Sequence, residues 1–110
     1  MSEKDIERSI LHYLSMLPNC FSWKEDSQGM IWDKGGERKV IKLRSRYRAE
    51  GKSDILGVYR GKFFAIEVKS GRGKPTQAQL NFIESIKRAG GHGIVVWSLD
   101  EAISFMNQIK

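Results

Sequence analysis

Long apolar runs, cysteine pairs and histidine clusters are all missing from this sequence, and each absence removes a class of explanation. No apolar stretch approaches the ~18–20 residues needed to span a bilayer. The first residues, Met1 to Asp5, have none of the apolar character of a secretory signal, so a cytoplasmic protein without membrane contact is expected. Cys20 is the only cysteine, which excludes an intrachain disulfide and a cysteine-based zinc site and leaves a small apolar residue. His12 and His92 have no partner at metal-ligand spacing and are expected on the surface or in loops. Internal repeats and low-complexity segments are absent too. What remains is a chain of 110 residues, 40% apolar and 29% charged, expected to form one domain over 1–110 with a single core.

Positive charge is present and unevenly spread. Between Glu37 and Lys52, seven cations (Arg38, Lys39, Lys42, Arg44, Arg46, Arg48 and Lys52) face two acids, a local balance of +5 within a net charge of +6. So concentrated a basic stretch points to a polyanion, most simply DNA, whose counterions are released on binding. A solvated basic loop without a partner is the alternative. Arg44, Arg46 and Arg48 alternate with Ser45 and Tyr47, so a strand there would send all three guanidinium groups to one face and track phosphates.

The periodicity predicts a first helix from about Glu3 to Met16, with a Ser2/Asp5 capping pattern and Ile6, Ile10, Tyr13, Leu14 and Leu17 on its buried face; Pro18 follows. Short strands are expected at Cys20–Glu25, Met30–Trp32 and Val40–Leu43, separated by the turn signals 26–29 and 33–36; the first two could pair as a hairpin. Asp54–Tyr59 and Lys62–Lys69 read as a ribbon that is apolar on both faces and therefore mid-sheet. After the basic loop Ser70–Pro75, Thr76-Gln77-Ala78-Gln79 opens a helix through about Ala89, with Leu80, Phe82, Ile83 and Ile86 buried. Gly90-Gly91 ends it. A strand at Ile94–Trp97 and a helix from Asp100 to about Gln108 complete an α/β layer fold with a mixed sheet, a central antiparallel hairpin and flanking helices. Trp23, Trp32 and Trp97 are expected in the core rather than as base-stacking platforms.

The chemistry converges on that hairpin. A two-residue turn at Arg60-Gly61 sets Asp54 directly opposite Glu67. Two carboxylates so close repel each other unless something neutralises them. Lys69 falls on the same face as Glu67, two residues on. Mg²⁺ or Mn²⁺ suits such a site, with Asp54, Glu67 and the Val68 carbonyl as ligands and positions left for water and a phosphate oxygen. Lys69 would orient or help deprotonate an attacking water, and the product of these parts is phosphodiester hydrolysis. Glu3 could reach the site from the first helix, with Glu7 its competitor, and Arg72 and Lys74 could contact phosphates from the other side. A structural cluster neutralised by Lys52 and Lys69 is the bland alternative.

Gly51-Lys52-Ser53-Asp54-Ile55-Leu56-Gly57, Ile66-Glu67-Val68-Lys69 and Thr76-Gln77-Ala78-Gln79 with Phe82 closely resemble the virus-type replication-repair nuclease domain, VRR-NUC, of the PD-(D/E)XK superfamily. The opening Glu3-Lys4-Asp5-Ile6 and the exit Ala89-Gly90-Gly91 are similar to it as well. Two departures stand out: Lys52-Ser53 replaces a small residue and a proline, and Glu7 stands where glutamine is frequent. The resemblance implies a restriction-endonuclease-like core, Asp54 and Glu67 as metal ligands, Lys69 as catalytic lysine, Glu3 as helix carboxylate and Gln79 as a further site residue. It implies a Mg²⁺- or Mn²⁺-dependent endodeoxyribonuclease acting on branched DNA, as a Holliday junction resolvase-like homodimer in a phage or bacterial setting. A flap or single-strand nuclease, and a DNA-binding module that keeps the fold without turnover, are the alternatives.

Overall fold

The Arg60-Gly61 dipeptide folds the chain back on itself. Both residues have positive φ, 51° and 80°, the pair of left-handed conformations that a type I′ turn needs. Glycine adopts that geometry freely. Arg60 is held there by its N–H, which donates to the Asn19 carbonyl at 2.9 Å, and its guanidinium lies 5.2 Å from the Tyr59 ring centroid.

The computed structural model describes residues 1–25, 30–34, 37–41 and 53–110, with backbone pairing alone for 30–34 and 37–41. Along the chain come α1 (Glu3–Met16), β1 (Cys20–Lys24), β2 (Met30–Lys34), β3 (Glu37–Ile41), β4 (Ile55–Tyr59), β5 (Lys62–Val68), α2 (Gln77–Arg88), β6 (His92–Val96) and α3 (Leu99–Gln108). One sheet has the order β1-β4-β5-β6, with β6 parallel to β5 and the other pairs antiparallel; β2 and β3 form a two-stranded sheet. The expected mixed sheet with a central antiparallel hairpin is therefore present.

Side-chain alternation divides the four-stranded sheet into two packed faces. Ile55, Tyr59, Phe64, Ile66, Val68 and Val96 pack on one face against Ile6, Ile10 and Leu14 of α1 and Ala102, Phe105 and Met106 of α3. Leu56, Ala65, Phe63 and Val95 pack on the other against Ile83, Phe82 and Ile86 of α2. Both faces of the central hairpin are covered, which is why its strands carry almost continuous apolar residues. Gly57 stands where Phe64 crosses the sheet: a Cβ there would lie 2.5 Å from the Phe64 ring and 2.7 Å from the Phe21 carbonyl.

Several expectations need correction. β1 pairs with β4, and β2 with β3, so the first two strands do not form a hairpin. Asp33 and Lys34 belong to the β2 ladder rather than a turn. His92 and Gly93 begin β6 rather than leading into it. Leu80 is 43% exposed and Trp97 37% exposed, and neither belongs to a core cluster. α3 begins one residue earlier than expected, capped by Ser98, whose hydroxyl accepts from the Glu101 N–H. Among the described residues no helix is long and apolar enough to cross a membrane.

Candidate active site

The β4/β5 register sets Ile55 against Ile66, and one step further, where the ladder ends, stand Asp54 and Glu67. Asp54 leaves the strand in a bend, and its side chain takes over the pairing: Oδ2 accepts from the Val68 N–H at 3.0 Å. On its other side the Asp54 carbonyl accepts from the Glu25 N–H at 2.8 Å. The aspartate is thus tied to the strands on both flanks.

Glu67 is an acid placed among apolar neighbours, with only 1% of its surface exposed. Its Oε1 accepts from Gln79 Nε2 at 2.9 Å and lies 3.5 Å from Lys69 Nζ. Its Oε2 is buried and has no hydrogen-bond partner among the described residues. Burial pushes the Glu67 carboxyl up to about 8; the Asp54 charge pushes the same way, while Lys69 pulls it back. Below about 8 the buried Glu67 carboxyl therefore holds a proton.

Gln79 reaches Glu67 because of how α2 starts. Thr76 caps the helix by accepting from the Gln79 N–H at 3.1 Å, and Gln79 Oε1 accepts in return from the Thr76 N–H at 2.9 Å. This reciprocal box consumes the amide oxygen and leaves the amide nitrogen to hold Glu67. Capping and site building are two ends of one side chain.

Other expected site residues lie further out. Glu3 sits half-buried in the first turn of α1. No three His, Cys, Asp or Glu side chains gather to hold a metal among the described residues, so Glu3 does not join Asp54 and Glu67 in one cluster. Glu7 is engaged elsewhere, in an ion pair with Lys24 at 3.1 Å. Arg72 and Lys74 are exposed on the loop that follows Lys69. That loop is held by Gly73 N–H donating to the Ser70 carbonyl at 2.8 Å and by Trp97 Nε1–H donating to the Gly73 carbonyl at 2.9 Å. Arg44, Arg46, Arg48 and Lys52 lie outside the described residues. Sequence reasoning overlooked Glu25, which follows β1 beside Asp54 and accepts from Trp23 Nε1 at 3.0 Å. The alternation Trp23-Lys24-Glu25 at the end of a strand was the available signal.

The donor set suits a hard divalent cation. It offers carboxylate oxygens on two adjacent strands, one of them buried and unpartnered, whose mutual repulsion a cation would relieve. Comparison with known proteins bears on the fold. No family model and no curated protein matches the chain. Among solved structures, one described as a VRR_NUC domain is 18% identical, with all of both chains covered and a TM-score of 0.67. Another, described as a VRR_NUC domain protein, is also 18% identical, covers 98% of this chain and 87% of its own, and has a TM-score of 0.61. The helix–hairpin–helix frame that carries Asp54, Glu67, Lys69 and Gln79 is therefore the VRR_NUC domain fold.

Proposed function

We propose that the protein is a divalent-metal-dependent DNA endonuclease that hydrolyses phosphodiester bonds in branched DNA. The observation that carries this reading is the pair of carboxylates Asp54 and Glu67 at the end of the central hairpin, one of them buried with an unpartnered oxygen, and Lys69 and Gln79 on the same carboxylate. Asp54, Glu67 and the Val68 carbonyl would hold Mg²⁺ or Mn²⁺, with Glu3 as an outer carboxylate. When bound, such an ion polarises a phosphoryl oxygen and stabilises the charge developing there.

The protein's own groups divide the remaining work. Val68 N–H fixes one oxygen of Asp54, and Gln79 with Lys69 fixes one oxygen of Glu67, so each acid keeps an oxygen for the ion. Lys69 is mostly buried, and its ammonium group donates to the attacking water and orients it. Arg72 and Lys74 contact backbone phosphates beside the site, and the basic residues Arg44, Arg46, Arg48 and Lys52 extend that contact. Binding by such groups reads charge and shape rather than sequence. A Holliday junction resolvase-like homodimer, with two sites cutting opposed strands, is the form we favour over a flap or single-strand nuclease. A side-by-side panel of four-way junction, flap, duplex and single strand, incubated with Mg²⁺ or Mn²⁺, tests it. Paired symmetric nicks in the junction are expected. One-sided cuts at single-strand transitions would replace the resolvase reading with the flap reading, and binding without cleavage on every substrate would reduce the protein to a binding module.

A further inference from the structure

The parallel strands β5 and β6 end side by side, so Trp97 emerges next to Lys69 and the loop that bears Arg72 and Lys74. Lys69 N–H donates to the Val96 carbonyl at 2.9 Å, which fixes that neighbourhood. Trp97 is a large aromatic side chain left 37% exposed. Its indole N–H is bonded to the Gly73 carbonyl at 2.9 Å, so the ring is pre-set in one orientation before any ligand arrives.

Beside it lies a cavity of about 470 Å³, formed by the start of α1, the loop at Gly71 and the start of α3. That volume falls in the ~300–1,000 Å³ range of clefts that take small organic groups. Ile6 and Leu99 give it apolar walls, and Asp100 adds a carboxylate at one side. Among the described residues that line it there is no lysine or arginine. Asp100 is the one charged side chain among the described residues that line it, whereas the exposed Arg72 and Lys74 offer positive charge to phosphates outside. A flat, uncharged ring attached to a phosphate backbone matches both regions at once.

We propose that this cavity receives an unstacked nucleobase of single-stranded DNA, stacked on Trp97, while Arg72 and Lys74 hold the adjoining phosphates. The inference rests on the reading of branched DNA above and adds that the protein holds unpaired bases at the branch point. Aromatic rings hold single-stranded bases without regard to sequence because every base presents a π-face. Duplex DNA keeps its bases stacked inside and gains nothing from the cavity. Trp97 is a binding residue, remote from the reacting phosphorus in this scheme.

Binding of oligonucleotides to wild type, Trp97→Ala and Trp97→Phe tests it, measured in EDTA so that cleavage plays no part. Replacing the ring by Ala should weaken binding of a single-stranded oligonucleotide about tenfold and leave duplex binding unchanged. The Phe variant keeps a ring and loses the bond to Gly73, so it should recover most of the affinity. A merely structural role in pinning the loop would fail in both variants and for both DNA forms, and that result overturns the proposal. Equal single-strand binding by wild type and Trp97→Ala also overturns it, leaving the nuclease reading intact. Absence of any DNA binding by wild type removes both.

Discussion

Replacing Glu67 with Gln should stabilise the metal-free protein, and by an amount that grows with pH. In the unfolded chain the carboxyl titrates near 4.5, and in the folded protein it is pushed up to about 8 by burial and by Asp54. Between those values the folded state holds a proton that the unfolded state releases, so raising the pH through this window lowers stability. Below about 4.5 both states are protonated and above about 8 neither is, so the change with pH is confined to that window and the full penalty persists above it. At ~1.4 kcal/mol per pH unit, the penalty is under about 1 kcal/mol near pH 5, about 3 kcal/mol near pH 7, and at most about 5 kcal/mol above pH 8. Glutamine keeps an oxygen that accepts from Gln79 and Lys69, and it stays uncharged at every pH. Urea unfolding in EDTA at about pH 5, 7 and 9 measures the difference between variant and wild type directly. An advantage for Glu67→Gln that climbs by several kcal/mol across the series supports the account. A difference independent of pH would refute the reasoning that burial keeps a proton on Glu67.

Three further outcomes follow from the same contacts. Gln79→Ala removes the capping-box acceptor and the donor to Glu67; melting should show a loss of about 1–2 kcal/mol, and calorimetric titration with Mn²⁺ should show affinity about 10–100-fold lower. Gly57→Ala drives a methyl group into the Phe64 ring and the Phe21 carbonyl, and chemical unfolding should show about 2–3 kcal/mol of destabilisation. Replacing Arg72 and Lys74 together by Ala should reduce the slope of log affinity against log salt by about 2 for duplex DNA, while an unchanged slope would remove these residues from the DNA contact.

Local chemistry was the part of the fold most legible in the sequence. The Arg60-Gly61 turn fixed its register because a two-residue loop leaves only one pairing, and the Ser2/Asp5 and Thr76/Gln79 boxes marked two helix starts to the residue. Ser98 caps α3 in the same way, but the helix was expected one residue later. Pairing between distant segments was less legible: the turn signals after Glu25 favour a hairpin with the next strand, yet β1 buries Trp23 only by lying against β4. At the site, Asp54, Glu67 and Lys69 were readable from hairpin geometry. The bond from Gln79 to Glu67 was not, since it spans a loop whose path depends on Trp97 and Gly73. The exposure of Trp97 was hidden for a related reason, because an aromatic at a strand end looks like core until the strand's length is known.

The central claim is that Asp54 and Glu67 form a metal-dependent hydrolytic centre. The cleavage rate of a four-way junction in Mn²⁺, compared between wild type and Glu67→Gln, tests it most directly, because this variant keeps the fold and loses only the ionisable oxygen. Cleavage by wild type that EDTA abolishes, and that the variant loses by at least about 100-fold, is the predicted result. Cleavage at the wild-type rate by a folded Glu67→Gln protein would contradict it.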